Sequence, residues 1–178
     1  MTKKITRRSF VSKSVNMTLS LGALSGLSSC DSTPKTSSSP WTRPIGANDD
    51  VRIAIVGCNG HGAYAHMRAY LEMEGVRVVA LCDPDRRVLR REGEFLSSQN
   101  VKFDAYTDIR KLLERKDIDA ISGATPNHWH ALSSVWACQA GKHVCVEKPV
   151  SHNIWEGRKI VEAAEKYNRL VQADLDMR

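Results

Sequence analysis

The stretch VRIAIVGCNGHGAYAHMRAYLEMEGVRVVALCD, residues 51–83, decides the fold. It opens with a nearly continuous apolar and partly β-branched run (Val51, Ile53, Ala54, Ile55, Val56), the pattern of a strand covered on both faces of a parallel sheet. A Gly-Cys-Asn-Gly-His-Gly turn follows, and apolar residues at 63, 67, 70 and 71 then fall at helical spacing over Ala63–Glu74. A second run, Val76–Cys82, delivers an acid, Asp83, 26 positions after Gly57. Strand, glycine turn, helix, strand and acid is the order a dinucleotide-binding βαβ unit needs. The turn brings backbone N–H groups and a helix N-terminus to a pyrophosphate, and the carboxylate takes the ribose hydroxyls. The G-x-G-x-x-G pattern fits as Gly57, Asn59 and Gly62, with Asn at the middle glycine and a spare glycine, Gly60, beside it. Asn tolerates left-handed backbone better than most residues, but its side chain competes for the pyrophosphate's space.

Outward from this unit, strand and helix patterns alternate. A helix is predicted over Asp85–Ser98, capped by Asp83 or Asp85, then a strand over Val101–Tyr106 and a short helix over Asp108–Arg115 capped by Thr107. Asp119–Ala124 reads as strand four, Pro126 and Asn127 as its exit turn, and Ala131–Ala140 as a helix with Leu132, Val135 and Trp136 inside. Strand five, His143–Glu147, a helix over Ile154–Tyr167 and strand six, Leu170–Ala173, complete the series. Such alternation predicts an α/β fold, a doubly wound parallel sheet of the Rossmann type. Ligands of such sheets sit at the carboxyl ends of the strands. There the polar residues gather: the glycine turn, Asp83, Thr125-Pro126-Asn127-His128-Trp129-His130 and Glu147-Lys148-Pro149.

The segments IAIVGCNGHG, LCDPD, DAISGATPNHWH and AGKHVCVEKPVSHNIWEGRKIVEAAEKYNRLVQ resemble the amino-terminal half of the Gfo/Idh/MocA family of NAD(P)-dependent oxidoreductases. The resemblance implies that Gly57, Asn59, Gly60, Gly62 and Asp83 hold the adenosine half of NAD, with NADP as the alternative. It places Thr125, Pro126 and His130 along the nicotinamide side, with Glu147 and Lys148 completing that side of the cofactor site. Lys148 then exchanges the proton of a sugar- or cyclitol-like alcohol during hydride transfer. A second reading within the family is an NAD-dependent glycoside hydrolase, and a third, outside catalysis, is a nucleotide-binding lipoprotein. The family's second, substrate-binding domain has no counterpart in these residues, so the chain reads as the cofactor half, expected to turn over little or nothing alone. A lysine at neutral pH is normally protonated, so a base role requires desolvation or a facing positive charge.

The chain has 178 residues, with 26 Lys and Arg against 20 Asp and Glu. Five of those bases (Lys3, Lys4, Arg7, Arg8, Lys13) precede residue 30 without a single acid, leaving the remainder nearly neutral. The basic balance therefore belongs to one segment and gives no case for nucleic acid. Residues 1–30 resemble a twin-arginine export signal (Thr6-Arg7-Arg8-Ser9-Phe10-Val11), ending at Leu27-Ser28-Ser29-Cys30 like a lipobox in which Cys30 carries a lipid anchor. Export to the periplasm or to a membrane surface is the expectation. Residues 31–50, rich in Ser, Thr and Pro, read as a linker to the dinucleotide-binding domain at 51–178. His128 and His130 make no four-ligand set, so no metal is expected. Cys58, Cys82, Cys138 and Cys145 read as small buried hydrophobes, and Trp129 and Trp155 as packing residues.

Overall fold

The computed structural model describes residues 50–175. The expected export signal, Cys30 and nearly all of the linker lie outside the described residues. Six strands form one sheet: β1 (Val51–Val56), β2 (Val76–Cys82), β3 (Asp104–Tyr106), β4 (Ala120–Gly123), β5 (His143–Val146) and β6 (Val171–Ala173). Their order is β3-β2-β1-β4-β5-β6, and every pairing is parallel. Between them run a π-helical segment, Gly62–Met67, continuing into α1 (Arg68–Glu72), then α2 (Arg86–Ser98), α3 (Ile109–Leu113), α4 (Asn127–Gln139) and α5 (Ile154–Tyr167).

The apolar run of β1 is divided between two cores. Ile53 and Ile55 pack with Ala63, Met67, Val88, Leu89 and Leu96 on one face, while Ala54 and Val56 pack with Leu112, Leu113, Ala137, Cys138 and Ala163 on the other. Helices thus cover both faces, as the doubly wound reading requires. The β1–β2 register shifts between Ile53 and Ala54, so that Val79 has no β1 partner. This bulge turns Val79 and Ala80 to the same core. At the amino ends of the strands, Arg52 donates from Nε and Nη2 to the two carboxylate oxygens of Asp119, 2.8 Å each, which ties the loop entering β4 to β1.

Several boundaries differ from expectation for physical reasons. The third strand is short because Val101 N–H bonds back to Leu96 O at the end of α2 and does not enter the sheet ladder. Asp108, not Thr107, caps α3 by accepting the N–H of Arg110. The fourth helix begins at Asn127, directly after Pro126, whose fixed φ suits the approach to a helix, and not at Ala131. Its inward side carries small residues, Ala131, Ser133, Ser134, Ala137 and Cys138, while Leu132 is exposed, which lets α4 sit close to the sheet and α5. In α5 the row of Ile160 and Ala163 is buried, and Ile154 and Val161 are exposed.

Candidate functional site

The carboxyl ends of β1, β2, β4 and β5 meet at one edge of the sheet. Gly57, at φ +84°, donates its N–H to Cys82 O at 2.8 Å, and a Cβ there would stand 2.7 Å from Ala124 O. Gly62 is packed as closely, since its Cβ would fall 1.9 Å from Gly57 O. These two glycines let the turn press against the exit of β4 and let the helix start directly over the turn. Gly60, at φ +60°, faces open space, and Asn59 beside it is exposed with its Oδ1 accepting from Arg91 Nη2 at 3.1 Å.

Asp83 is nearly buried beneath this turn. Its Oδ2 accepts the N–H of Cys58 at 2.9 Å, and its Oδ1 accepts that of Asp85 at 2.9 Å. The carboxylate therefore braces the glycine turn against the end of β2, and each oxygen retains a lone pair for a further donor. The next acid, Asp85, caps α2 and holds Arg87 through both carboxylate oxygens.

Across the edge, Thr125 follows β4, and its Oγ1 is buried with no hydrogen-bond partner among the described residues. Pro126 is exposed at the start of α4. His130 is 1 % exposed, with Nδ1 2.7 Å from Pro149 O and Nε2 2.7 Å from Thr125 O. It stands as a strut between the Thr125 turn and the Lys148-Pro149 turn, whose peptide bond is cis, and does not line the cleft. Lys148 itself is exposed on the rim, so this domain alone does not supply the desolvation expected of it. Glu147 turns inward. Its Oε2 accepts the backbone N–H of Lys148 at 2.9 Å, while Oε1 meets His66 Nε2 at 2.9 Å and His61 Nε2 at 2.8 Å. Burial alone would raise its carboxyl, but the hydrogen bonds from His66 and Lys148 N–H and the two histidine charges outweigh that and hold it below the usual range. A cleft of about 300 Å³ opens here, lined by His61, Ala124, Thr125, Glu147 and Lys148.

His61, His66 and Ser122 were not singled out by sequence reading. The signal was their position in and after the glycine turn and at the end of β4, but only tertiary structure brings them to Glu147. The cysteines fit their expected role: Cys58, Cys82 and Cys138 are buried and Cys145 partly so, and burial pushes the Cys82 thiol up to about 12. The tryptophans do not. Trp129 is partly exposed against Trp136, and Trp155 is 67 % exposed with Lys159 Nζ over its ring, because both lie on outward helix faces.

Residues 51–175 match the model of an oxidoreductase family with an NAD-binding Rossmann fold. The chain belongs to the Gfo/Idh/MocA family. Over 121 residues this Gfo/Idh/MocA domain is 36% identical to a glycosyl hydrolase family 109 protein of Shewanella woodyi, a match covering 65% of this chain and 26% of that protein. Among solved structures it is similar to the WlbA dehydrogenase of Chromobacterium violaceum in complex with NADH and UDP-GlcNAcA (25% identity, TM-score 0.64, 74% of this chain and 37% of that one). It is also similar to the myo-inositol 2-dehydrogenase of Lactobacillus plantarum (25% identity, TM-score 0.62, 71% and 36%). The Gfo/Idh/MocA domain thus spans about a quarter of the length of the curated relatives it matches. Its residues fit the family's NAD: Thr125, whose buried hydroxyl has no partner among the described residues, lines the cleft, and the space over Gly60 is open.

Proposed function

We propose that this domain binds NAD(H) across the seam between the glycine turn and Thr125, as the cofactor-holding part of an oxidoreductase acting on a sugar- or cyclitol-like alcohol. The observation that carries the reading is the buried Thr125 hydroxyl, which has no hydrogen-bond partner among the described residues and belongs to a residue that lines the cleft. When bound, the nicotinamide supplies the hydride acceptor. Gly57 and Gly62 let the backbone approach the pyrophosphate, Asp83 takes ribose hydroxyls with its remaining lone pairs, and the carboxylate favours NAD over NADP. Lys148, on the rim, moves the alcohol proton, while Glu147 fixes the Lys148 backbone from below.

NADH fluorescence titration of the 178-residue chain tests this. Saturable binding is expected, and Thr125→Val should weaken it about 3- to 10-fold while leaving the thermal midpoint unchanged or higher, because the substitution removes an unsatisfied buried hydroxyl. No saturation, or equal affinity in the variant, overturns the reading. The identity with glycosyl hydrolase family 109 favours one second reading, NAD-dependent glycoside cleavage. Release of a sugar without net change in NADH by a form carrying the substrate part would decide for it. We further propose export through the twin-arginine-like segment and lipid anchoring at Cys30. Cell fractionation should find the protein with membranes and Cys30→Ala in the soluble periplasm, and cytoplasmic retention of both would refute it.

A further inference from the structure

Under the cleft, ligand atoms of His61, His66 and Glu147 lie within 4.8 Å of one another. His61 Nε2 and His66 Nε2 both converge on Glu147 Oε1, at 2.8 and 2.9 Å, and Asp174 Oδ2, just beyond β6, stands 3.5 Å from His66 Nε2. Two imidazoles and two carboxylates make a donor set suited to a divalent transition ion, for which metal–ligand bonds of about 2.1 Å imply ligand separations near 3.4 Å in a tetrahedron. Three of the separations, 2.8, 2.9 and 3.5 Å, bracket that value, while Asp174 lies outside the group of His61, His66 and Glu147 whose ligand atoms are all within 4.8 Å of one another, so an ion would part the histidines from Glu147 and draw Asp174 in. His66 is held for the task from behind: its Nδ1 is 2.6 Å from Ser122 Oγ, which also accepts from Tyr70 OH at 3.3 Å. Ser122 Oγ at Nδ1 fixes the ring, and an ion at Nε2 would replace the hydrogen bond that this nitrogen makes to Glu147 Oε1. His66 and Glu147 are buried, whereas His61 is about half exposed at the cleft and Asp174 partly exposed, giving an ion a route in.

We infer that His61, His66, Glu147 and Asp174 form a binding site for one divalent transition metal ion, of the zinc class, beneath the dinucleotide cleft. Nitrogen donors select zinc or cobalt and disfavour magnesium. His61 and Glu147 also line the cleft assigned to NAD(H), so the two sites share residues, and zinc and NADH are measured separately.

The test is equilibrium dialysis of the full chain against ZnCl₂ with elemental analysis, beside the visible spectrum of the Co²⁺-loaded protein. One Zn²⁺ per chain is expected, no Mg²⁺ uptake, and a cobalt spectrum of nitrogen and oxygen ligation without a thiolate charge-transfer band. His61→Ala should lower zinc affinity about 10-fold or more, and Asp174→Asn measurably, while His128→Ala, an exposed histidine at the start of α4, should bind as the parent does. Unchanged thermal midpoints confirm that the exposed substitutions leave the fold intact. Absence of binding, a thiolate band, or equal affinity in both ligand variants overturns the site, and NADH affinity measured on the same samples reports separately on the dinucleotide reading.

Discussion

At the scale of single residues, two glycines of the turn, Gly60 and Gly62, differ sharply in what they tolerate. Gly62→Ala would drive a Cβ into Gly57 O, a backbone atom that cannot move without parting the turn from β4, and should cost more than about 3 kcal/mol. Gly60→Ala meets open space and carries only the left-handed backbone penalty of about 1–2 kcal/mol. Chemical denaturation of the two variants should rank them in that order. The sequence pattern named both glycines, as it named Asp83, because turn chemistry is local and each residue type has a short-range reason to be there. The work of Asp83 in bracing Cys58 and Asp85 N–H was not legible, since it depends on where the turn comes to rest over β2. Nor was the burial of His130, whose two carbonyl partners come from different turns.

At the scale of elements, β2 follows its apolar pattern closely, α5 does so only along the row of Ile160 and Ala163, and α4 does not. Its inward face is built from Ala, Ser and Cys, so hydrophobic spacing points to Leu132, which lies outside. Asp85, Asp108 and Asn153 each accept an N–H from the first turn of their helix, the short-range device by which these ends are set. Beyond α3, Arg115 donates to both carboxylate oxygens of Asp117, at 2.9 and 2.5 Å, and from Nη1 to Asp104 in β3, joining the helix exit to the sheet. The bond from Arg115, working against some desolvation, holds the Asp117 carboxyl below its ordinary value. A carboxyl depressed in the folded state stabilises above its unfolded pKa of about 3.9, and that contribution disappears as pH falls through the lower folded value. Asp117→Asn should therefore destabilise the protein by about 1–2 kcal/mol at pH 7, and its unfolding midpoint should converge with that of the parent as acid takes the pH below the lowered folded value.

At the scale of the molecule, alternation of strand and helix patterns was enough to reach the layered architecture and the edge where ligands gather. What stayed hidden is the meeting of residues 61, 66, 147 and 174, distant in sequence and adjacent only once β1, β4, β5 and β6 lie side by side. The strand order has one more consequence. The glycine turn is carried by β1 and the Thr125 turn by β4, and these two strands are directly paired, with Ala124 N–H bonded to Val56 O and Gly57 flush against Ala124. The two lips of the cleft are thus fixed jaws, shaped when the chain folds and not when a guest arrives. A guest then has little loop ordering to impose on this side of the cleft, so its grip here comes from preorganised fit, not from closure.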